Sequence, residues 1–170
     1  MRKIALLFFI LAVSLPAAAA AQSYRLLSIA LYQTNEVMAQ RVGTSVDLVS
    51  YVKALNAAAA GYFDARPKGT PGLLDIVVAF KPSGKSKVWL MPQNTTLDNP
   101  AGLALRLQAV PAPKPVGGPI AFCLHASLWG GTEATPPTHP PYPKEWLDAS
   151  TASLKPLRIP DDVLTVIWKD

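Results

Sequence analysis

Along residues 74–80 the apolar side chains fall on alternate positions. Leu74, Ile76, Val78 and Phe80 share one side, with Asp75, Val77 and Ala79 between them. A period of two is the signature of a β-strand, here one with a strongly apolar face. Lys81, Pro82, Ser83 and Gly84 follow. Proline presets φ at the first corner of a type I turn, and Gly84 can take the left-handed position of a bulged hairpin. Residues 88–91 (Val, Trp, Leu, Met) then read as the returning strand, ended by Pro92. Upstream the period changes. Val46, Val49, Val52, Leu55 and Ala59 recur at helical spacing, with Ser45 as N-cap, Ala57 to Ala60 as strong helix formers and Gly61 as the stop. Residues 66–72, with two prolines and two glycines, form the loop between helix and strand.

The pattern before and after this unit extends it. Leu26, Leu27, Ile29, Ala30 and Leu31 fit the start of either a strand or a helix. Asn99 is placed to cap a helix whose first turn holds Pro100, whose apolar face is Leu103, Leu107 and Val110, and which Pro111 ends. Residues 111–119 carry four prolines and two glycines and form a stiff connector. Residues 120–129 predict a strand, with Phe122, Leu124, Ala126 and Leu128 on one face and Cys123, His125 and Ser127 on the other. A proline-rich loop at 136–143 leads to a short helix near 144–149. A closing strand is predicted at 163–168, where Val163, Thr165 and Ile167 alternate with Leu164, Val166 and Trp168. The expected fold class is α+β: a small antiparallel sheet with two or three helices packed on it.

The N-terminus reads differently. Arg2 and Lys3 precede a hydrophobic run from Ile4 to Leu15, then Pro16 and a run of alanines ending at Ala21. A short basic region, an apolar stretch too short to span a bilayer comfortably and small residues at the cut are the parts of a secretory signal peptide. Cleavage after Ala21 is expected, leaving residues 22–170 as one domain in the periplasm or outside the cell.

Charge and cysteine content then narrow the classes. The formal net charge is +5, of which Arg2 and Lys3 supply two. The mild remainder, together with export, argues against nucleic acid as a partner. Cys123 is the single cysteine, so no intrachain disulfide is possible. Its apolar neighbours predict a small buried hydrophobe.

Residues 79–86, AFKPSGKS, fit the loosest form of a phosphate-binding loop. A working loop of that kind needs a helix directly after Gly-Lys-Ser, because the helix amides hold the phosphates. Only about six residues separate Ser86 from Pro92, too few for a stable helix, so the stretch reads as a hairpin turn and no nucleotide is expected. His125 and His139 are the only histidines, with no carboxylate or thiolate at metal-ligand spacing, so neither a metal nor another cofactor is expected. There is no G-x-S-x-G elbow. The adjacent acids Asp161 and Asp162 read as a solvated turn after Pro160. Lys81, Lys85 and Lys87 cluster at the hairpin and are the candidate partner-binding residues, suited to an acidic surface.

The order helix, strand, turn, strand, helix, strand over residues 45–128 resembles the C-terminal domain of TonB, the energy transducer of bacterial envelopes. Gly72, Ile76, Val78 and Phe80 match its glycine-led first strand, Gly84-Lys85 its turn, and Pro111-Ala112 with Pro119-Ile120 its step into a third strand. The Tyr-Pro before the first helix, the Trp-Arg-Phe-like helix end and a proline-rich spacer from a membrane anchor are missing. The resemblance implies a sheet-edge contact with an envelope protein. The expected function is thus a periplasmic or secreted, non-enzymatic binding or accessory domain. The alternative is a periplasmic immunity-type inhibitor of an exported toxin.

Overall fold

The computed structural model describes residues 22–42, 45–132, 139–154 and 156–168. The expected signal peptide and residues 136–138 of the second proline-rich loop lie outside them. Among the described residues nine elements follow in order: β1 (Tyr24–Leu31), α1 (Asn35–Arg41), α2 (Ser45–Asp64), β2 (Gly72–Phe80), β3 (Ser86–Gln93), α3 (Pro100–Gln108), β4 (Ile120–Leu128), α4 (Lys144–Ala152) and α5 (Asp161–Ile167). The four strands form one antiparallel sheet in the order β1-β4-β2-β3. The fold is α+β, with the expected small sheet and a larger set of helices on it. Among the described residues no helix is long and apolar enough to cross a membrane.

The central strands explain the layering. Every residue of β2 and β4 is buried, so helices must cover both faces of the sheet. On the first face Leu74, Ile76, Val78 and Phe80 of β2, with Phe122, Leu124, Ala126 and Leu128 of β4, pack in one apolar cluster. Tyr51, Leu55, Ala59 and Phe63 of α2 and Leu103 and Leu107 of α3 complete it. On the second face Val77, Ala79, Ala121 and Cys123 pack with Trp146 of α4 and Val163 and Leu164 of α5. The alternation at 74–80 indicated only the first of these faces. The second is apolar as well, because Val77 and Ala79 are core residues of a three-layer arrangement rather than a solvated side.

The hairpin closes as expected. The Gly84 amide donates to the Lys81 carbonyl (2.8 Å) and the Lys81 amide to the Lys85 carbonyl (3.0 Å). Gly84 has φ +80, where a side chain is disfavoured. Two boundaries differ from the sequence expectation. Strand β3 continues through Pro92 to Gln93. The Lys81–Lys85 pair sets the ladder phase, so Lys87, Trp89, Met91 and Gln93 bond β2, whereas Ser86, Val88, Leu90 and Pro92 turn their backbone groups outward. The amide that Pro92 lacks would have faced the open edge, and no ladder bond is lost. Helix α2 passes Gly61 and ends at Asp64. Tyr62 and Phe63 are buried, and their packing carries the helix one turn past the glycine, which lies against Arg106 of α3.

The largest departure is at the C-terminus. Residues 163–168 do not form a strand; Asp161–Ile167 is helix α5. The β-branched residues there alternate by accident. The buried pair Val163 and Leu164, with Ile167 packed beside them, recurs at helical spacing. Asp161 and Asp162 are therefore not a solvated turn but the first turn of this helix, where negative charge is favoured. Asp161 takes a bidentate contact from Arg41 of α1 (2.7 and 2.6 Å). Asp162 accepts the Arg158 backbone amide (2.9 Å) and its guanidinium. The ambiguous stretch before α2 divides into a strand and a short helix, the latter capped by the Thr34 hydroxyl, which accepts from the Val37 amide (3.4 Å).

Two outcomes test this architecture. Phe80→Ala should cost about 3–5 kcal/mol in urea denaturation, the range for truncating a large buried aromatic, while Lys85→Ala at the exposed tip should stay within about 0.5 kcal/mol. Gly84→Val should destabilise through the left-handed turn position. The second outcome concerns pH. The Arg41 guanidinium holds the Asp161 carboxyl below its ordinary value of 3.8. A depressed folded pKa gives stability that is complete above that value and is lost as pH falls through the lowered one. Asp161→Asn should therefore flatten the stability–pH curve below about pH 4; an unchanged acid slope would place α5 away from Arg41.

Candidate functional site

The three lysines singled out in the sequence meet different fates. Lys81 donates through Nζ to the Trp168 carbonyl, with its ammonium 4.7 Å from the centre of the Trp168 ring. Lys87 donates to Glu145 of α4 (2.8 Å), which also accepts from the Trp89 indole (2.6 Å). Burial opposes ionisation of Glu145, but the Lys87 and Trp89 contacts outweigh it and its pKa is lowered. Lys81 and Lys87 thus help fasten the C-terminal helices to the hairpin, and Lys85 is the exposed member.

The sequence reading missed a polar network in the second face of the sheet. Asp75, fully buried in β2, sits opposite His125 of β4. His125 donates through Nδ1 to Asp75 Oδ1 (2.6 Å), the Cys123 thiol donates to the same oxygen (3.6 Å), and Gln93 of β3 donates to Oδ2 (2.5 Å). One carboxylate thus gathers donors from both neighbouring strands. The signal was present: Asp75 is the one charged residue inside an apolar strand, and a strand buried on both faces must pair such a charge. His125, 4% exposed, is part of this network.

The chemistry of the network is that of a closed core. Burial, reinforced by the Asp75 carboxylate, pushes the Cys123 thiol pKa far up, the opposite of what a nucleophilic thiolate needs. Ser127 gives its hydroxyl to the Gly131 carbonyl (2.6 Å). Among the described residues no three His, Cys, Asp or Glu side chains are arranged to hold a metal ion. His139, the other histidine, is exposed.

The sheet edges are where backbone remains to be used. At β3, Pro92 supplies no amide and Lys87 and Trp89 are tied to α4. Strand β1 has no proline, and its charge is confined to Arg25. The Tyr32 amide donates to the Ala121 carbonyl (3.3 Å) and the Trp129 amide to the Ser23 carbonyl (3.2 Å). With the observed register, these bonds turn the backbone groups of Ser28 and Ala30 toward β4 and those of Ile29 and Leu31 outward. A bulge at Leu27 absorbs the register shift between Leu26 and Ser28. Leu27, Ile29 and Leu31 are 39%, 45% and 38% exposed, and α2, which packs on β1, exposes Val49. The unpaired backbone row therefore coincides with a row of uncovered apolar side chains, the combination that native edges ordinarily avoid.

The buried network makes a testable claim. Asp75→Ala should cost about 3–5 kcal/mol, because the donors of His125 and Gln93 lose their acceptor in the core. Replacing both Asp75 and His125 with leucine should cost clearly less than the two single leucine changes added together. Additive costs in urea denaturation would show that the two residues do not interact. No protein-family model matches the chain, and no curated protein or solved structure is significantly similar to it.

Proposed function

We propose that the chain is an exported, non-enzymatic binding module that takes up an extended segment of an envelope protein along β1. The observation that carries this reading is the edge itself: outward backbone groups at Ile29 and Leu31 lie among exposed Leu27, Ile29 and Leu31. An added strand gains affinity from main-chain hydrogen bonds and specificity from alternate side chains, and needs no catalytic cluster. The basic, apolar and small-residue regions of residues 1–21 support export. The resemblance of residues 45–128 to the TonB C-terminal domain points to the same kind of contact. The proposal does not extend to energy transduction, because the Tyr-Pro before the first helix and the Trp-Arg-Phe-like helix end of that family are missing here. Lys85, exposed on the hairpin, remains available to an acidic surface of the partner.

The test uses the full chain in its native host. A photo-crosslinking residue placed at Ile29 or Leu31 should give one discrete adduct, whereas the same residue at Leu105, 67% exposed on α3, should not. Ile29→Pro removes an outward amide without breaking the β4 ladder, so the fold should survive by circular dichroism while the adduct from position 31 disappears. Adducts of equal yield from positions 31 and 105, or an adduct that survives Ile29→Pro, would remove the edge from consideration.

A further inference from the structure

Between the bulge at Leu27 and the end of β1, the residues that turn their backbone groups outward are Ile29 and Leu31. They lie symmetrically about Ala30. An antiparallel copy of β1, laid along this edge with a two-fold axis at Ala30, sets Ile29 opposite Leu31 of the second copy and Leu31 opposite its Ile29. Each of these pairs exchanges two main-chain hydrogen bonds, and each joins two aliphatic side chains that are otherwise uncovered. On the opposite face of the sheet, where Ser28 and Ala30 lie beside His125 and Cys123 of β4, the axis sets Ala30 against itself and Ser28 against Tyr32. No two large side chains then compete for one place. Neighbouring registers fail. An axis one residue earlier sets Leu31 against Leu27, where the bulge interrupts the ladder. An axis one residue later sets Ile29 against Gln33, which lies past the end of β1 with its side chain buried and bonded to the Pro119 carbonyl and the Ala121 amide.

The charges at the two ends of β1 agree with this direction. Arg25 is exposed near its start, and Glu36 is exposed just past its end, in the first turn of α1. Antiparallel pairing lays the start of one β1 beside the end of the other, so Arg25 of each copy faces the Glu36 end of its neighbour. The two Arg25 side chains are ten residues apart along the ladder, about 33 Å at the rise of a strand. Exposed charges are screened in salt beyond roughly 8–10 Å, so these two do not oppose the contact. The edge thus matches itself in backbone phase, side-chain size and charge, which is what a closed two-fold contact requires. We infer that a second copy of this chain covers β1 in the free protein, pairing with its own β1 about Ala30 to join two four-stranded sheets into one of eight strands. The inference rests on the edge reading above in taking β1 as the contact strand. It adds a regulation to that edge: self-pairing keeps the open backbone covered, and an envelope segment must displace the second copy to reach it.

Sedimentation equilibrium of the purified, exported chain should show the mass doubling between micromolar and millimolar concentration, and Ile29→Pro should keep it single. A disulfide reads the register. Position 30 faces Cys123 within the chain, so the trap is built on Cys123→Ala. There Ala30→Cys should join two copies on mild oxidation, because a pair of this kind holds its Cα atoms about 4.5 Å apart, within disulfide reach. Leu105→Cys on the same background, exposed on α3, should stay reduced. Arg25→Glu or Glu36→Arg alone should weaken the dimer on the order of fivefold, the worth of two exposed ion pairs, and the two changes together should restore it. A single mass at millimolar chain would overturn the self-pairing; envelope adducts from positions 29 and 31 would then leave the edge reading standing without it. A doubled mass with equal disulfide yields at positions 30 and 105 would put the dimer on another surface and overturn the inference as well. A doubled mass with the position-30 disulfide and no envelope adduct would support the dimer and remove only the envelope segment.

Discussion

Two-sided burial of the β2–β4 pair is the constraint on which the rest of the structure depends. These strands form the middle of a four-stranded sheet, and neither leaves a residue in water. A sheet of this size with one wet face would need only α2 and α3. A sheet with two dry faces needs a second helical layer, and the chain supplies it from its last third. That layer is thin. Its buried centre is Trp146, Val163 and Leu164, and it is fastened by polar clamps at its rim. Glu145 holds Lys87 and Trp89, and Asp161 holds Arg41. The helices of the first face are held mainly by apolar packing, those of the second by fewer apolar contacts and more ion pairs.

The same constraint accounts for the buried network. A carboxylate in the middle of a dry sheet must be neutralised or fully bonded. Asp75 meets that demand with donors from His125, Cys123 and Gln93. The strand register places Asp75 opposite His125, and Gln93 opposite its neighbour-but-one, Leu73. A slip of one residue would send Asp75 into the aromatic face beneath α2. The network therefore penalises a slipped register, a specificity device in a core that is otherwise mostly apolar.

Local signals were legible where a turn residue or a cap fixed the backbone. Gly84 marked the hairpin turn, Asn99 and Pro100 marked the start of α3, and the alternation of residues 120–128 assigned both faces of β4 correctly. Tertiary determinants were not legible. Val77 and Ala79 look like the weaker side of an amphipathic strand until a second layer is known to exist. Val163, Thr165 and Ile167 have strand propensity, and only docking against Val77 and Ala79, with Asp161 on Arg41, makes them helical. Gly61 would end an isolated helix, but burial of Tyr62 and Phe63 outweighs the roughly 1 kcal/mol that a helical glycine costs. The basic tip was visible as composition, whereas its use as a fastening for α4 and the C-terminus depends on elements more than fifty residues away.

The same reasoning separates the two edges. Both β1 and β3 present unpaired backbone, so topology alone does not choose between them. Side chains do. The outward positions of β3 include Pro92, which has no amide to offer, and its inward neighbours Lys87 and Trp89 are committed to Glu145. The outward positions of β1 are Ile29 and Leu31, each with an amide, a carbonyl and a largely uncovered apolar side chain. Leaving large aliphatic side chains in water gives up roughly 1.5–3 kcal/mol for each one that could be fully buried, and an unguarded edge invites pairing with the wrong chain. A proline and two clamped side chains close one edge, while the other stays apolar and open, and on that contrast the proposed contact at β1 rests.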